Sequence, residues 1–297
     1  MTDASDPHPV ADPPGHSGLP DFLLIGAMKA ATSTLSAYFE DHPQTFMVAP
    51  VEPHFFSHDD NWRKGADWYG TFFQGAAPGQ IIGEGSNSYT ASPRFPSAAA
   101  RIHATVPDVK LVYMVRDPVE RIISHWIQNR ADRGDRVSAS LDAAVEADPE
   151  RFVDQSRYGM QLDPYLALFP RAQIHVGFLE DLQSDPGAFY AGLCTFLGIE
   201  TVAQPGRSKQ NTSQGKAAPT RSYDRIKGVP GLRRMARLVP QDLRRAVKRR
   251  LFWKPIEGRP AFSPAFERAL RAELAEDTAR FLGLCGRPPD FWDRKAH

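Results

Sequence analysis

A lysine, a run of small hydroxyl residues and an arginine stand where a folded chain would meet an anion. In GAMKAATSTL (residues 26–35), Lys29 precedes Ala30, Ala31, Thr32, Ser33 and Thr34, directly behind the apolar residues 22–25. A phosphate-binding loop of the G-x-x-x-x-G-K-[ST] type cradles phosphates with backbone N–H groups and reaches the β and γ oxygens with its lysine. Here Ala31 stands at the second glycine, Thr32 at the lysine and Ser33 at the Ser/Thr position, while the lysine comes early, at Lys29. The pattern keeps an anion cradle and drops the grip on a triphosphate. A second signal closes KLVYMVRDP (residues 110–118), where Arg116 stands at the strand end that in a Walker B segment carries a metal-holding aspartate. Asp117, Pro118 and Glu120 read as N-cap, N1 proline and N3 glutamate of the next helix, so Asp117 is assigned to capping. That strand end offers a cation rather than a metal-binding acid.

These groups need elements to hold them. The short apolar run at 22–25 is the pattern of a parallel strand buried on both faces. Thr32 or Ser33 is expected to cap the following helix, which His42-Pro43 stops. Strand, glycine turn and helix N-terminus together form an anion site, since unpaired N–H groups and the helix dipole point the same way. Further strands are predicted within 80–89, within 110–118 and at 173–178, alternating with helices over 96–106, 118–130, 158–169, 186–197 and 263–282. This is the rhythm of a three-layer α/β fold with a central, mainly parallel sheet flanked by helices. Phe291 and Trp292 are expected to pack back on the body.

The totals set limits. The chain has 297 residues and a net charge of +1, so no global charge calls for nucleic acid. Residues 1–20 read as a disordered tail and 21–297 as one domain. The two cysteines, Cys194 and Cys285, lack metal-ligand spacing and are read as buried thiols. No signal peptide or apolar span is visible, which predicts a soluble, cytoplasmic protein. Beyond residue 200 a polar loop at 207–222 precedes a basic stretch, 221–259, that reads as short amphipathic helices broken at Pro240. Its charge suits a solvated face, an acidic substrate or a membrane surface.

Taken together, the chain from Asp21 to about residue 294 resembles the sulfotransferases that use 3′-phosphoadenosine 5′-phosphosulfate (PAPS), especially the heparan-sulfate-type and bacterial branch. The segments that carry the likeness are FLLIGAMKAATSTL, VEPHFF (51–56), WRKGADWYGTFF (62–73), LVYMVRDPVERIISHW (111–126), RYGMQLDPYLALFP (157–170) and FLEDLQSDP. The resemblance implies a P-loop-like fold, a donor with a 5′-phosphosulfate and a 3′-phosphate, adenosine 3′,5′-bisphosphate (PAP) as product, and no metal. It implies that Lys29 lies near the bridging oxygen that gains charge as sulfuryl leaves, where a positioned cation lowers the barrier most. The 5′-phosphate would then lie on the amides of residues 30–34. Many members have glycine where Ala31 stands, and alanine is tolerable there if its φ is negative.

The same likeness assigns the 3′-phosphate to Arg116, whose planar fork suits phosphate, and to Ser124 eight residues later. It makes Glu52 the general base and His54, two residues on, a catalytic partner that orients the substrate or assists the proton transfer. In an extended segment residues 52 and 54 point the same way. Tyr158 is implied as a nucleotide contact, and Gly215 and Lys216 as part of a basic loop over the 3′-phosphate. Ser86, Asn87 and Tyr89 follow a strand end, where open α/β sheets bind ligands, and are read as lining the acceptor cleft. The acceptor is a hydroxyl or amine of a glycan, lipid or other metabolite, with the basic stretch hinting at an anionic or membrane-associated one. Two other classes remain open: a P-loop kinase or NTPase, and a non-catalytic nucleotide- or polyanion-binding protein.

Overall fold

A computed structural model describes residues 18–49, 52–202 and 260–293, together with the backbone of 217–219 and 253–255. Most of the expected N-terminal tail, Gly215, Lys216 and most of the basic stretch lie outside the described residues. Five strands are β1 (Phe22–Gly26), β2 (Thr45–Val48), β3 (Ile81–Gly85), β4 (Lys110–Val115) and β5 (Ile174–Phe178). They form one sheet in the order β2-β3-β1-β4-β5, and every neighbouring pair is parallel. All five residues of β1 are buried, as are the last five of β4, which is why both read as continuous apolar runs. At the sheet edge, β2 alternates buried and half-buried residues over only four positions, so it carried no run to betray it.

The helices used below are α1 (Thr32–Glu40), α2 (Ala98–Thr105), α3 (Pro118–Arg133), α4 (Tyr158–Leu166), α5 (Pro186–Leu197) and α6 (Pro264–Leu284). Three of them start where local chemistry says they should. Asp117 accepts the Glu120 N–H at α3, Asp185 the Ala188 N–H at α5, and Ser263 the Phe266 N–H at α6. The end of α5 is set by Gly198 in the left-handed region, with φ 79°. α1 is different: its N-cap is Ala31, no side chain caps it, and Thr32 and Ser33 already lie in its first turn. The capping role expected of Thr32 or Ser33 is therefore wrong.

One core packs around the sheet, and a second joins Val119, Ile122, Trp126 and Ile127 of α3 to Leu270 and Leu274 of α6. Trp292 and Phe291 return to the body against Phe178, with ring centroids 5.7 and 5.2 Å away. Cys194 is buried and Cys285 half-buried, both as free thiols. Beyond residue 200 the expectation needs correction. Ala217–Pro219 (β6) and Trp253–Pro255 (β7) pair as antiparallel strands, inside segments read as a loop and as helices. Pairing between residues so far apart leaves no local periodicity to read. β6 lies against α3. No helix among the described residues is long and apolar enough to cross a membrane.

Candidate functional site

Because the strands are parallel, the segments that follow β2, β3, β1 and β4 emerge at one edge of the sheet, in that order. Adjacent strands lie ~4.8 Å apart, so the ends of β2 and β4 are separated by roughly 14 Å. The chemistry expected from the sequence divides along this row.

At the centre is the loop from Gly26 to Ala31. A Cβ on Gly26 would stand 2.0 Å from Thr90 Oγ1, and that hydroxyl donates to the Ile25 carbonyl at 2.8 Å. Only glycine lets the loop after β3 approach β1 this closely. Lys29 and Ala31 both have left-handed backbones, with φ 73° and 69°. The condition that would have made alanine comfortable at 31 is thus not met, and the loop holds a conformation that costs an L-residue about 1–2 kcal/mol. In return the chain turns sharply into α1. The amides of Thr32 and Ser33 find no acceptor among the described residues, while those of Thr34 and Leu35 bond to the Ala31 carbonyl. Ala30 is fully buried.

On the β4 side, α3 presents residues 117, 120, 121, 124, 125 and 128 along one face, at helical spacing. Arg116 Nη1 lies 3.4 Å from the Lys29 carbonyl, and its Nη2 lies 3.4 Å from Glu120 Oε2. Lys29 Nζ donates to Gln128 Oε1 at 3.3 Å. Ser124 is buried on the same helix, and β6 passes against that helix directly after Gly215 and Lys216, which are outside the described residues. Arg121 was not anticipated. Its fully buried guanidinium donates to Ser156 Oγ at 2.6 Å and to the Phe152 carbonyl, and reaches the Met28 carbonyl at 3.5 Å. It has no carboxylate partner among the described residues. Burial lowers its pKa to about 10, so it stays charged at neutral pH beneath the loop.

At the β2 side stands Glu52. Asn87 grips it twice, from its backbone N–H to Oε2 at 3.2 Å and from Nδ2 to Oε1 at 3.1 Å. Burial raises the Glu52 pKa, against the opposing pull of the Asn87 amide. His54 Nε2 lies 3.6 Å from Glu52 Oε2. The two meet with His54 in a left-handed rather than an extended conformation: its φ is 50°, and its N–H is held by Ser86 Oγ at 2.9 Å. Burial, with His58 nearby, lowers the His54 pKa to about 4. Behind this pair is a wholly buried carboxyl, Glu84, at the end of β3. Ser86 donates to its Oε1, and Tyr69 and Tyr89 donate to its Oε2 at 3.0 and 2.8 Å. Burial outweighs those donors and pushes Glu84 up to about 7.

Several expected roles change. Ser86 and Tyr89 are 0% and 2% exposed with their hydroxyls turned onto Glu84, so they support the cleft rather than line it. Tyr158, 1% exposed, donates to the Arg116 carbonyl at 2.9 Å and steadies the strand end from behind, where it offers a nucleotide no open face. Asn87 is occupied with Glu52. Arg121 and Gln128 had a signal, since both share the helical face that carries Ser124. Glu84 had a weaker one: a lone carboxylate ending an apolar strand.

A model of the sulfotransferase family matches residues 63–203. Mouse heparan sulfate glucosamine 3-O-sulfotransferase 3B1 is 31% identical over 212 residues, which is 68% of this chain and 52% of that protein. Human heparan sulfate glucosamine 3-O-sulfotransferase 6 is 31% identical over 270 residues, 84% of this chain and 73% of that one. The chain thus spans about half the length of the first relative and nearly three quarters of the second. Among solved structures, the sulfotransferase from Alicyclobacillus acidocaldarius aligns over 93% of this chain and 99% of its own, with TM-score 0.67 and 24% identity. That is a likeness of fold.

Proposed function

The chain belongs to the sulfotransferase family, and on that premise we propose that it moves a sulfuryl group from PAPS to a hydroxyl or amine by in-line displacement, with Glu52 as general base. The observation that carries the reading is the two-point grip of Asn87 on Glu52, at the same sheet edge as a loop whose two helix-start amides have no acceptor among the described residues. PAPS when bound supplies the sulfuryl group, and PAP leaves. The acceptor's oxygen or nitrogen forms the new bond to sulfur while the bond from sulfur to the 5′-phosphate oxygen breaks.

The residues of this chain divide that work. The amides of Thr32 and Ser33, at the positive end of α1, suit the 5′-phosphate. Lys29 stands in the same loop and suits the oxygen that gains charge as the bond to sulfur breaks. Arg116 and Ser124, one at a strand end and one on α3, suit the 3′-phosphate, with Arg121 adding buried positive charge below. Glu52 takes the acceptor's proton. A base so placed contributes typically ~10²- to 10⁴-fold, and burial, by raising its pKa, makes it a stronger one. The reaction so written needs no metal. Both curated relatives are named for a glucosamine of heparan sulfate, which makes an anionic, glucosamine-containing glycan the first acceptor to try.

The test is thermal stabilisation by PAP without metal, set against ATP with Mg²⁺. A ligand at 100 times its Kd adds about 2.7 kcal/mol, a shift of roughly 4–5 °C at this chain length. PAP is expected to give it. Stabilisation by ATP with Mg²⁺ alone would replace the sulfotransferase reading by that of an NTP-using enzyme.

A further inference from the structure

Behind Glu52 runs a line of hydrogen-bonding side chains that sulfuryl transfer itself does not use. From Glu52 Oε2 it is 3.6 Å to His54 Nε2, and from His54 Nδ1 2.7 Å to Ser88 Oγ. Ser88 Oγ is 2.6 Å from Ser57 Oγ, which is 3.0 Å from His58 Nδ1. The last three links are within hydrogen-bond reach, and the first is a gap of the kind that closes when substrate binds. Ser57 and Ser88 are 5% and 6% exposed, whereas His54 and His58 are half-buried. The line therefore runs from the cleft, through a shielded middle, to a wetter end. Serine hydroxyls can donate in one direction and accept from the other, then reverse. Ser57 has one alternative acceptor, the His54 carbonyl at 3.2 Å.

We propose that His54, Ser88, Ser57 and His58 form a proton exit relay for Glu52, carrying the acceptor's proton out of the closed cleft to water. The proposal rests on Glu52 being the base. While Glu52 is ionised, it accepts from His54 Nε2–H, Nδ1 accepts from Ser88, Ser88 from Ser57, and Ser57 from His58 Nδ1–H. Once Glu52 holds the acceptor's proton, the order turns round: the two serine hydroxyls rotate, and each half-buried imidazole gives one N–H proton to water and takes one from water at its other nitrogen, leaving protons on His54 Nδ1 and His58 Nε2. One proton then moves along the line. The Glu52 O–H breaks as His54 Nε2–H forms, the His54 Nδ1 proton passes to Ser88, that of Ser88 to Ser57, and that of Ser57 to His58 Nδ1. His58, now an imidazolium, loses its Nε2 proton to water, and the starting order is restored with no electrons transferred.

The surroundings favour this direction. Burial and the neighbouring His58 keep His54 neutral, its pKa lowered to about 4, so it passes the proton on rather than storing it. His58 faces the His54 ring, with centroids 4.9 Å apart, and the Phe95 ring at 4.6 Å. Asp59, the charged group beside it in sequence, is occupied by Arg101 at 2.5 Å.

The relay sets the tautomers of two histidines, and nitrogen-15 NMR of the histidine-labelled full chain at pH 8 reads both. The expected state is Nε2–H at His54 and Nδ1–H at His58, the reverse of free imidazole's preference for Nε2–H at the latter. Glu52→Ala should return His58 to Nε2–H. Ser88→Ala should do the same to His58 while leaving His54 unchanged, and Ser57→Ala breaks the line one link further on if the first variant folds poorly. Nε2–H at His58 in the unsubstituted protein, or a His58 response to Glu52→Ala that survives loss of the Ser88 hydroxyl, would overturn the relay. PAP stabilisation measured on the same samples keeps the readings apart. Its absence beside relay-type tautomers sinks the sulfotransferase proposal, and ordinary tautomers beside normal PAP binding sink the relay alone.

Discussion

The two ends of the strand edge are held by opposite means. Around β1 and β4 the groups proposed to hold the donor lean on backbone: a left-handed loop, the start of α1, and two arginines that reach main-chain carbonyls, Arg116 that of Lys29 and Arg121 those of Met28 and Phe152, beside their side-chain partners. Around β2 and β3 the groups hang on side chains: Asn87 on Glu52, Ser86 on the His54 amide, and three hydroxyls on Glu84. A backbone cradle presents fixed dipoles that do not titrate, which suits a donor whose phosphates stay charged. A side-chain network can gain, pass and lose protons, which suits the end where the proposed reaction releases one.

The sharpest way to break this division is Glu52→Gln. If the ends are independent, transfer falls by ~10²- to 10⁴-fold while PAP stabilises the variant as it does the parent. Loss of PAP binding in a folded variant would show that the two ends act as one unit. Next in size is Glu84→Gln, read as stability against pH. Glu84 is wholly buried, and its pKa is raised from 4.5 to about 7. A carboxyl raised on folding holds its proton in the folded state longer than in the unfolded one. Its contribution is therefore complete below about 4.5 and lost as pH climbs to about 7. Relative to Glu84→Gln, the unsubstituted protein should lose up to ~3 kcal/mol across that window, at 1.36 kcal/mol per pKa unit, and nothing more above it. A pH-independent difference in urea unfolding would place a permanent charge in the core.

At the other end, Arg116→Ala tests the backbone-hung cations. A hydrogen bond to a charged group is worth about 1.5–3 kcal/mol, so PAP affinity by calorimetry should weaken by roughly 10- to 100-fold, with the pH dependence of stability unchanged. An unaltered affinity would move the 3′-phosphate elsewhere along α3.

The same division explains what could be read from sequence. The β1 loop, Arg116 and the Asp117 cap each sit within one strand-turn-helix stretch that can be read locally, and the family resemblance adds Ser124 and the phosphate roles. The other end is assembled across about 35 residues, as in the separation of Glu52 from Asn87 and of His54 from Ser88. Nothing local announces that Ser86 and Tyr89 turn inward onto Glu84, so they read as cleft residues. Tyr158 was read as a nucleotide contact for a related reason: the resemblance placed its segment near the nucleotide but said nothing of which way the ring faces, and the ring is buried. β6 and β7 were hidden because a strand's partner lies far along the chain.

The smallest expected effect bears on the strain at the centre of the row. Ala31 is held at φ 69° as the N-cap of α1, with no side-chain cap to compensate. Ala31→Gly removes about 1–2 kcal/mol of left-handed penalty and adds back roughly 0.5–1 kcal/mol of lost chain entropy. The net gain should be at most about 1.5 kcal/mol, a rise in Tm of no more than roughly 2–3 °C. Glycine at this position also clears room for a phosphate to approach the amides, so PAP affinity should hold or improve. A drop in Tm without bound ligand would mean that residue 31 has a negative φ in solution, the geometry in which alanine is comfortable. The cradle would then be shaped by the donor on binding rather than built beforehand, and the contrast between a fixed end and a titrating end would have to be drawn elsewhere.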